Sequence, residues 1–255
     1  MIEVGGLVID GLTVKYGGNV AVSDVSFAAP VGRITGLIGP NGAGKTTTFN
    51  ACSGLLQPST GRVLLDGEDV TRLPVHRRAQ RGLGRTFQRM QLCESLSVRD
   101  NVSLGRESAT AGSRPWSHVW DGRGERHAAI AATDEALRLC GIAELADSPV
   151  VSLSTGQRRL VELARAVAGG GRILLLDEPS SGLDHGETER FGDTLRFLVR
   201  ERGSGILLVE HDMSLVMRVC EHIYVLDFGT LLFDGTPAEV TDSVAVRQAY
   251  LGSAA

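Results

Sequence analysis

A glycine-rich loop that ends in a lysine carries the clearest chemistry in this chain. The run Gly39-Pro40-Asn41-Gly42-Ala43-Gly44-Lys45-Thr46 lies between a strand pattern at 33–38 and a helix pattern at 45–52. Glycines let the backbone turn so that successive N–H groups converge on phosphate oxygens. Lys45 suits the β and γ phosphates of a nucleotide, and Thr46 offers a hydroxyl to Mg²⁺. The alternative is a glycine-rich turn that binds nothing, but one of only two lysines among 26 basic residues stands here.

Two acidic residues follow a second apolar strand pattern at 173–176. Asp177 and Glu178 would lie at the carboxyl end of that strand, where open α/β sheets place their ligands. Asp177 is suited to hold hydrated Mg²⁺, and Glu178 to polarise the water that attacks a γ phosphate. The alternative is an acidic pair that caps the loop before Pro179, which the upstream phosphate loop disfavours.

Two further positions have the chemistry to meet a phosphate. His211 follows a strand pattern at 206–210, where its imidazole would reach the γ phosphate or the water, although a lone histidine there is more often structural. Ser154 is suited to cap a helix whose apolar residues recur at helical spacing. The N-terminus of that helix is a ready anion site.

The elements that must position these residues form an α/β pattern. Strand patterns at 8–14 and 20–27 flank a turn at 17–19 and predict a hairpin, and a further strand at 62–65 precedes Asp66-Gly67. Continuous apolar runs at 173–176 and 206–209 are separated by a helical segment at 186–202. This alternation is typical of a parallel sheet covered on both faces.

The remaining segments are less regular. From 74 to 145 the chain is first arginine-rich, then Gly/Ser-rich at 106–124 and helical at 127–140, which predicts a helical lobe with a loose insertion. Strands at 223–226 and 230–233 and a last helix at 238–250 complete the pattern. At 255 residues, one α/β domain with a subordinate lobe is expected.

Composition narrows the class of protein. No apolar run approaches the ~20 residues of a membrane span, and no secretory signal is visible, so we expect the chain to remain in the cytoplasm. The four cysteines form no Cys-x-x-Cys pair, which argues against a zinc site or a disulfide framework. A net charge of −4 gives no global reason to bind nucleic acid.

Taken together, these residues resemble the nucleotide-binding subunit of ATP-binding cassette (ABC) transporters over nearly the whole chain. Thr86-Phe87-Gln88 is similar to the family's glutamine loop and residues 153–157 to its signature. Residues 181–184 resemble the D-loop, His211 the switch histidine, and Tyr16 the aromatic residue that stacks on adenine. For Tyr16, a role as a core or hairpin aromatic is also open.

The resemblance implies a fold and a division of the chain. The fold is an α/β ABC-type P-loop NTPase: a RecA-like core sheet, an N-terminal antiparallel β subdomain and an inserted helical subdomain. Residues 1–255 would be one nucleotide-binding domain, with 1–87 and 161–255 forming the core and β subdomain and 88–160 the helical signature subdomain.

The resemblance also implies roles for individual residues. Catalysis would involve Glu178, His211 and Lys45, and the metal would be held by Thr46, Gln88 and Asp177. The ATP site would comprise Tyr16, Gly39, Pro40, Asn41, Gly42, Ala43, Gly44, Lys45, Thr46, Thr47 and Gln88. The signature Ser154, Thr155, Gly156 and Gln157 would meet the γ phosphate of a second subunit, with Asp184 in the D-loop at the dimer contact. Thr155 replaces the usual glycine, which we expect to be tolerated.

Four local features resemble the ATPases of branched-chain amino-acid importers: residues 84–88, an insertion near 106–128, residues 210–213, and the ending at 249–252. Residues 90–94 depart from the aromatic-containing pattern expected in the region that receives the permease. Implied cofactors are ATP and Mg²⁺. Implied partners are a second ABC ATPase subunit, identical or different, two transmembrane permease subunits and an extracytoplasmic solute-binding protein, with no nucleic acid. The chain would lie peripherally at the cytoplasmic face of the membrane.

Three alternatives remain open at this point. One is the ATPase of another ABC system, such as lipopolysaccharide export or other small-molecule transport. A second is a soluble ABC ATPase without a permease, although such proteins commonly carry a long coiled coil or two cassettes. A third, a regulatory module without turnover, conflicts with the presence of Glu178 and His211.

A basic run at 77–89 also allows two interpretations. Arg77, Arg78, Arg81, Arg85 and Arg89 would either touch anionic lipid or acidic permease residues, or form a solvated helix face. The two tryptophans, Trp116 and Trp120, lie in the insertion and would share a face if it is helical.

Overall fold

The computed structural model describes residues 5–86, 91–110 and 122–252. Gln88, Arg89 and both tryptophans lie outside those ranges, so the expectations that rest on them are not addressed by the structure. None of the helices in the described ranges combines the length and the apolar composition that a membrane span needs.

An antiparallel sheet forms the N-terminal part of the fold. Its strands are β1 (Gly6–Tyr16), β2 (Asn19–Pro30), β4 (Thr60–Leu65) and β5 (Glu68–Asp69), in the order β2-β1-β4-β5. The turn between β1 and β2 contains Gly17 at φ 60°, a left-handed conformation that glycine adopts without steric penalty. The predicted N-terminal hairpin and the following strand are confirmed.

A six-stranded sheet forms the core. It contains β3 (Ile34–Ile38), β6 (Leu83–Arg85), β7 (Ile173–Asp177), β8 (Gly205–Val209), β9 (His222–Asp227) and β10 (Thr230–Gly235), in the order β10-β9-β3-β8-β7-β6. The strands from β9 to β6 are parallel, and β10 pairs antiparallel with β9. Because the central strands are parallel, the residues that follow β3, β7 and β8 lie along one edge.

Both faces of this sheet are covered, which explains its uninterrupted apolar strands. Alternate residues such as Leu174 and Leu176 face the helices, whereas Ile173 and Leu175 face the antiparallel sheet. The helices are α1 (Lys45–Ser53), α2 (Val75–Gln80), α3 (Val98–Thr110), α4 (Gly122–Leu139), α5 (Thr155–Ala168), α6 (His185–Arg202), α7 (Met213–Val219), α8 (Pro237–Asp242) and α9 (Val244–Gly252).

The helical lobe consists of α3, α4 and α5, which bury apolar side chains against one another, among them Val102, Leu137 and Val161. Helix α5 continues without interruption across residues 160 and 161, where the sequence places a domain boundary. The lobe and the core therefore share one helix.

Two predicted elements differ from the structure. The stretch from 74 to 145 is not wholly a helical lobe, because β6 extends the core sheet by pairing with β7. Gly84 permits this pairing, since a Cβ there would lie 2.6 Å from the Leu174 Cδ2 atom. The single helix predicted at 238–250 is two helices, α8 and α9, because Ser243 adopts an extended backbone between them.

The basic run does not form one solvated face. Arg78 is fully buried and donates to the carbonyls of Ala51 and Cys52, both at 2.7 Å. Arg85 lies over the ring of Phe49, with its guanidinium carbon 4.7 Å from the ring centroid. Two of these arginines therefore hold α1, the helix that follows the phosphate loop, to its surroundings.

Candidate nucleotide site

The loop between β3 and α1 is closed around a buried lysine. Lys45 is 8% exposed, and its Nζ donates to the carbonyls of Gly39 at 2.7 Å and Pro40 at 3.0 Å. Gly39 has φ 149°, and a Cβ there would lie 2.1 Å from the Leu226 carbonyl oxygen. Only glycine fits at that position. Burial lowers the pKa of Lys45, and the nearby Glu178 and Asp177 carboxylates act in the opposite direction.

A cavity of about 380 Å³ opens above this loop. It brings together most of the loop with one carboxylate and one aromatic residue. Its lining comprises Asn19, Val20, Ala21, Asn41, Gly42, Ala43, Gly44, Lys45, Thr46, Thr47, Glu178 and Phe228. Tyr16 is paired with Asn19 at the end of the hairpin, but it is 53% exposed and does not contribute to the lining that the structure describes.

The acidic pair at the end of β7 lies beside the lysine. Asp177 is 3% exposed, and its burial raises its pKa to about 6, with repulsion from Glu178 adding to the effect. Arg85 and Lys45 oppose this rise. Glu178 has φ 46°, a strained conformation for a residue with a side chain, and its N–H donates to the Val209 carbonyl at 2.8 Å.

His211 lies next to Glu178. Its Nδ1 is 3.9 Å from Glu178 Oε2 and 3.7 Å from Glu210 Oε2, and its side chain is 61% exposed. Glu210 is fully buried and accepts hydrogen bonds from the N–H groups of Ser180 at 2.8 Å and His211 at 3.0 Å. Glu210 thus joins the loop after β7 to the loop after β8.

The N-terminus of α5 is built as the sequence predicts. Ser154 Oγ accepts from the N–H of Gln157 at 3.2 Å, and Gln157 Oε1 accepts from the N–H of Ser154 at 2.9 Å. This reciprocal arrangement is a capping box. Residues 154–157 do not contribute to the described lining of the cavity at the phosphate loop.

The D-loop contacts the same helix end through one carboxylate. Asp184 caps α6 by accepting from the N–H of Glu187 at 2.7 Å. Glu187 Oε2 accepts from the N–H of Asp184 at 3.2 Å, and Glu187 Oε1 accepts from the Ser154 hydroxyl at 3.5 Å. A Cβ at Gly156 would lie 2.7 Å from Glu187 Oε1, so a glycine permits this contact.

A divalent metal fits part of this site. Thr46, whose side chain carries a hydroxyl, lines the cavity, and Asp177 provides a carboxylate whose buried charge a cation would stabilise. Hard oxygen donors of this kind suit Mg²⁺. Gln88, the third predicted ligand, lies outside the described residues.

Three functional candidates were not predicted from the sequence. Glu210 joins the loop after β7 to the loop after β8, Glu187 joins the D-loop to α5, and Phe228 lines the cavity. The Asp-x-x-Glu spacing of residues 184–187 is a capping signal that could have revealed Glu187. Phe228 has φ 42° and is 90% exposed, and neither property is visible in a sequence.

Comparisons with known proteins agree with this geometry. A family model described as ABC transporter matches residues 22–181, and one described as branched-chain amino acid ATP-binding cassette transporter matches residues 230–255. The chain is 38% identical over 253 residues to the high-affinity branched-chain amino acid transport ATP-binding protein BraF of Pseudomonas aeruginosa, covering 97% of this chain and 98% of BraF.

Two other similarities matter for function and fold. The lipopolysaccharide export system ATP-binding protein LptB of Acidithiobacillus ferridurans is 40% identical over 238 residues, covering 93% of each chain. The solved structure of MJ1267, an ATP-binding cassette of an ABC transporter in its ADP conformation, is 26% identical with a TM-score of 0.84. That similarity covers 97% of this chain and 98% of MJ1267. The α/β P-loop fold expected from the sequence is confirmed.

The raised pKa of Asp177 predicts a pH-dependent stability in the protein without nucleotide or metal. Between about pH 4 and 6 the folded protein keeps a proton on the Asp177 carboxyl, and the unfolded chain releases it. This proton therefore stabilises the folded state at low pH, and the stabilisation is lost as the pH rises through about 6. Asp177→Asn has no such group. Relative to wild type, its unfolding free energy should therefore rise by about 2 kcal/mol from pH 4.5 to 7.5, measured by urea unfolding in EDTA.

The control is Asp147→Asn, because the Asp147 side chain is 94% exposed. Its exposed ion pair with Arg99, at 3.6 Å, contributes little, so its difference from wild type should change far less than that of Asp177→Asn. A difference for Asp177→Asn that does not change with pH would contradict the raised pKa.

Proposed function

Since this chain belongs to the ABC transporter family and is one of its ATP-hydrolysing subunits, we propose that its ATP hydrolysis powers the import of branched-chain or related amino acids. The proposal rests on Lys45 and Glu178, which both line the cavity above the phosphate loop, and on His211, whose Nδ1 lies 3.9 Å from Glu178 Oε2. Residues 1–87 and 161–255 would form the core and β subdomain, and residues 88–160 the helical signature subdomain, with α5 common to both.

The residues around the cavity have complementary roles in this proposal. The N–H groups of residues 41–47 and the Lys45 ammonium would bind the phosphates, and Tyr16 would contact the adenine from the end of the hairpin. Thr46 and Asp177, together with Gln88, would hold Mg²⁺, which neutralises phosphate charge when bound. Glu178 would accept a proton from the attacking water, and His211 would donate to the γ phosphate.

The signature would act on a second ATPase subunit. Support comes from the separation of residues 154–157 from the described lining of the chain's own nucleotide cavity, although their helix N-terminus is suited to bind an anion. Closure of two subunits would place Ser154 and Gly156 against the γ phosphate of the partner. Asp184, joined to Ser154 through Glu187, would lie at the same contact.

A groove between the core and the helical lobe suits a permease. It has a volume of about 320 Å³ and a mainly apolar lining that includes Val75, Ala79 and Leu104. Arg85 and Arg165 also line it, so an apolar helix with an acidic residue would fit. We propose that one of the two transmembrane permease subunits docks here and that the other docks on the second ATPase subunit. This would hold the chain at the cytoplasmic face of the membrane, and an extracytoplasmic solute-binding protein would deliver the cargo.

The choice of cargo is supported by the C-terminal family match at 230–255 and by the similarity to BraF along almost its whole length. The similarity to LptB favours a second candidate, the export of lipopolysaccharide. These two candidates share the ATPase chemistry and differ in the permease and the direction of transport.

Removal of the Glu178 carboxylate tests the catalytic assignment. Glu178→Gln cannot accept the proton of the attacking water, so ATP turnover should fall by about 10²–10⁴-fold while ATP binding persists. Turnover is measured by phosphate release, and binding by fluorescence of a labelled ATP. Glu189→Gln is the matched control, because Glu189 lies on α6 and pairs with Arg218. Wild-type turnover in Glu178→Gln would exclude Glu178 as the base.

A bulky cation at the signature tests whether it acts on a partner. Ser154→Arg should abolish the ATP-dependent dimer that size-exclusion chromatography detects, because the side chain would block the approach of the second subunit. ATP binding by the monomer should be unchanged. Ser152→Arg, at an exposed position two residues earlier, should still dimerise. Loss of ATP binding in the Ser154→Arg monomer would show that the signature serves its own site.

Cargo is tested by transport. Cells that lack this chain should take up labelled leucine at least about tenfold more slowly than cells that express it, as expected for a process that depends on its ATPase. Expression of the Glu178→Gln variant should not restore uptake. Normal leucine uptake without the chain, together with a defect in lipopolysaccharide export, would favour the second candidate.

A further inference from the structure

A buried ion pair on α5 connects two loops that lie far apart in the sequence. The Arg159 and Glu162 side chains are 7% and 3% exposed, and Arg159 Nη1 lies 3.0 Å from Glu162 Oε2. Each side chain also bonds to a different backbone segment. Arg159 Nη2 donates to the Ser181 carbonyl at 3.1 Å, and Glu162 Oε1 accepts from the Gln91 N–H at 3.1 Å.

One end of this connection lies at the catalytic residues. Ser181 belongs to the D-loop, and its N–H donates to the Glu178 carbonyl at 3.1 Å. The preceding Ser180 donates its N–H to Glu210, which also contacts His211. A displacement of this loop therefore moves the carbonyl that Arg159 holds.

The other end lies at the proposed permease groove. Gln91 lines that groove, and its carbonyl accepts from Arg165 at 2.5 Å. Two residues later, the Cys93 N–H donates to Asn101 on α3 at 2.8 Å, and Asn101 returns a hydrogen bond to the Cys93 carbonyl at 3.0 Å. The segment at 91–93 is thus held to the helical lobe at two independent points.

Stability alone does not account for this pair. A buried ion pair is often no more stabilising than apolar side chains of similar volume, because desolvation offsets the attraction. Among the described residues, the third donor of Arg159, Nε, has no hydrogen-bond partner. The arrangement uses both charges to bond two separate loops and leaves a buried donor unsatisfied.

We propose that Arg159 and Glu162 are positioning residues that couple the D-loop to the segment at 91–93, so that nucleotide-driven movement at Ser181 reaches the permease groove. This inference rests on the proposed function, because it assumes that ATP closes the site and that a permease binds in the groove. Packed, hydrogen-bonded elements can carry coupling between distant sites, and the bonds from Glu178 to Gln91 form a continuous connection of this kind.

Hydrogen–deuterium exchange at residue resolution tests the coupling in the full chain. In the Glu178→Gln background, ATP and Mg²⁺ should alter exchange at the Gln91 amide as well as at the phosphate loop. Arg159→Met combined with Glu162→Leu removes the connection with apolar side chains of similar size. In that variant the Gln91 amide should exchange at least about tenfold faster and lose its response to ATP.

Two controls and a second test variant accompany this comparison. The Cys93 amide should keep its rate, because Asn101 holds it without the ion pair. Arg158→Met changes a neighbouring arginine that bonds the Leu153 and Val151 carbonyls, and it should leave the Gln91 response intact. Arg159→Lys keeps a charge for Glu162, but its single nitrogen cannot take the places of both Nη1 at Glu162 and Nη2 at the Ser181 carbonyl. Gln91 should therefore stay protected and no longer respond to ATP.

The outcomes separate this inference from the proposed function. No ATP-induced protection at Gly42 and Gly44 in the parent protein would overturn ATP binding itself. Protection at those glycines with an undiminished Gln91 response in both Arg159→Lys and the double variant would overturn the coupling. If the double variant does not fold, as judged by urea unfolding, Arg159→Lys decides alone.

Discussion

The electrostatic balance at Lys45 is the constraint on which the site depends. Its ammonium is buried against the carbonyls of Gly39 and Pro40 and lies near the carboxylates of Asp177 and Glu178. Burial lowers the pKa of Lys45 and raises that of Asp177. Without a ligand, the desolvation of each charged group therefore costs free energy, first at Lys45 and second at Asp177. Phosphate oxygens would relieve the first cost and a divalent cation the second. The closed glycine loop and the parallel sheet edge both serve to hold these groups together.

A second set of contacts joins the N-termini of α5 and α6. Both α5 and α6 begin with a capping box, and Glu187 belongs to one while touching the other. The signature and the D-loop therefore present one surface, whose N–H groups are oriented before any second subunit arrives. Pre-organisation of this kind reduces the entropy lost when two surfaces associate. Through Glu187, the D-loop is also in direct contact with the start of α5.

Several features of the fold were predictable because they depend on neighbouring residues. The hairpin turn, the phosphate loop and the Ser154 cap each need particular residue types at adjacent positions, and all three are found as expected. The predictions were wrong where segments far apart in the sequence determine the local structure. Strand β6 pairs with β7, which lies far from it in the sequence, and Gly84 leaves room for the Leu174 side chain. The break at Ser243 separates two helices that residue preferences alone would join. The sequence predicts Arg78 and Arg85 as surface charges. In the structure Arg78 is buried and Arg85 stacks on Phe49.

The sequence by itself determined the chemistry of the chain, because a phosphate loop, an acidic strand end and a helix cap are local patterns whose backbone geometry follows from their own residues. Only the tertiary structure decided which side chains meet. It placed His211 beside Glu178, left Tyr16 outside the described lining of the cavity, and connected Ser181 to Gln91 through Arg159 and Glu162. These contacts join residues far apart in the chain, and they arise from packing that no local pattern specifies.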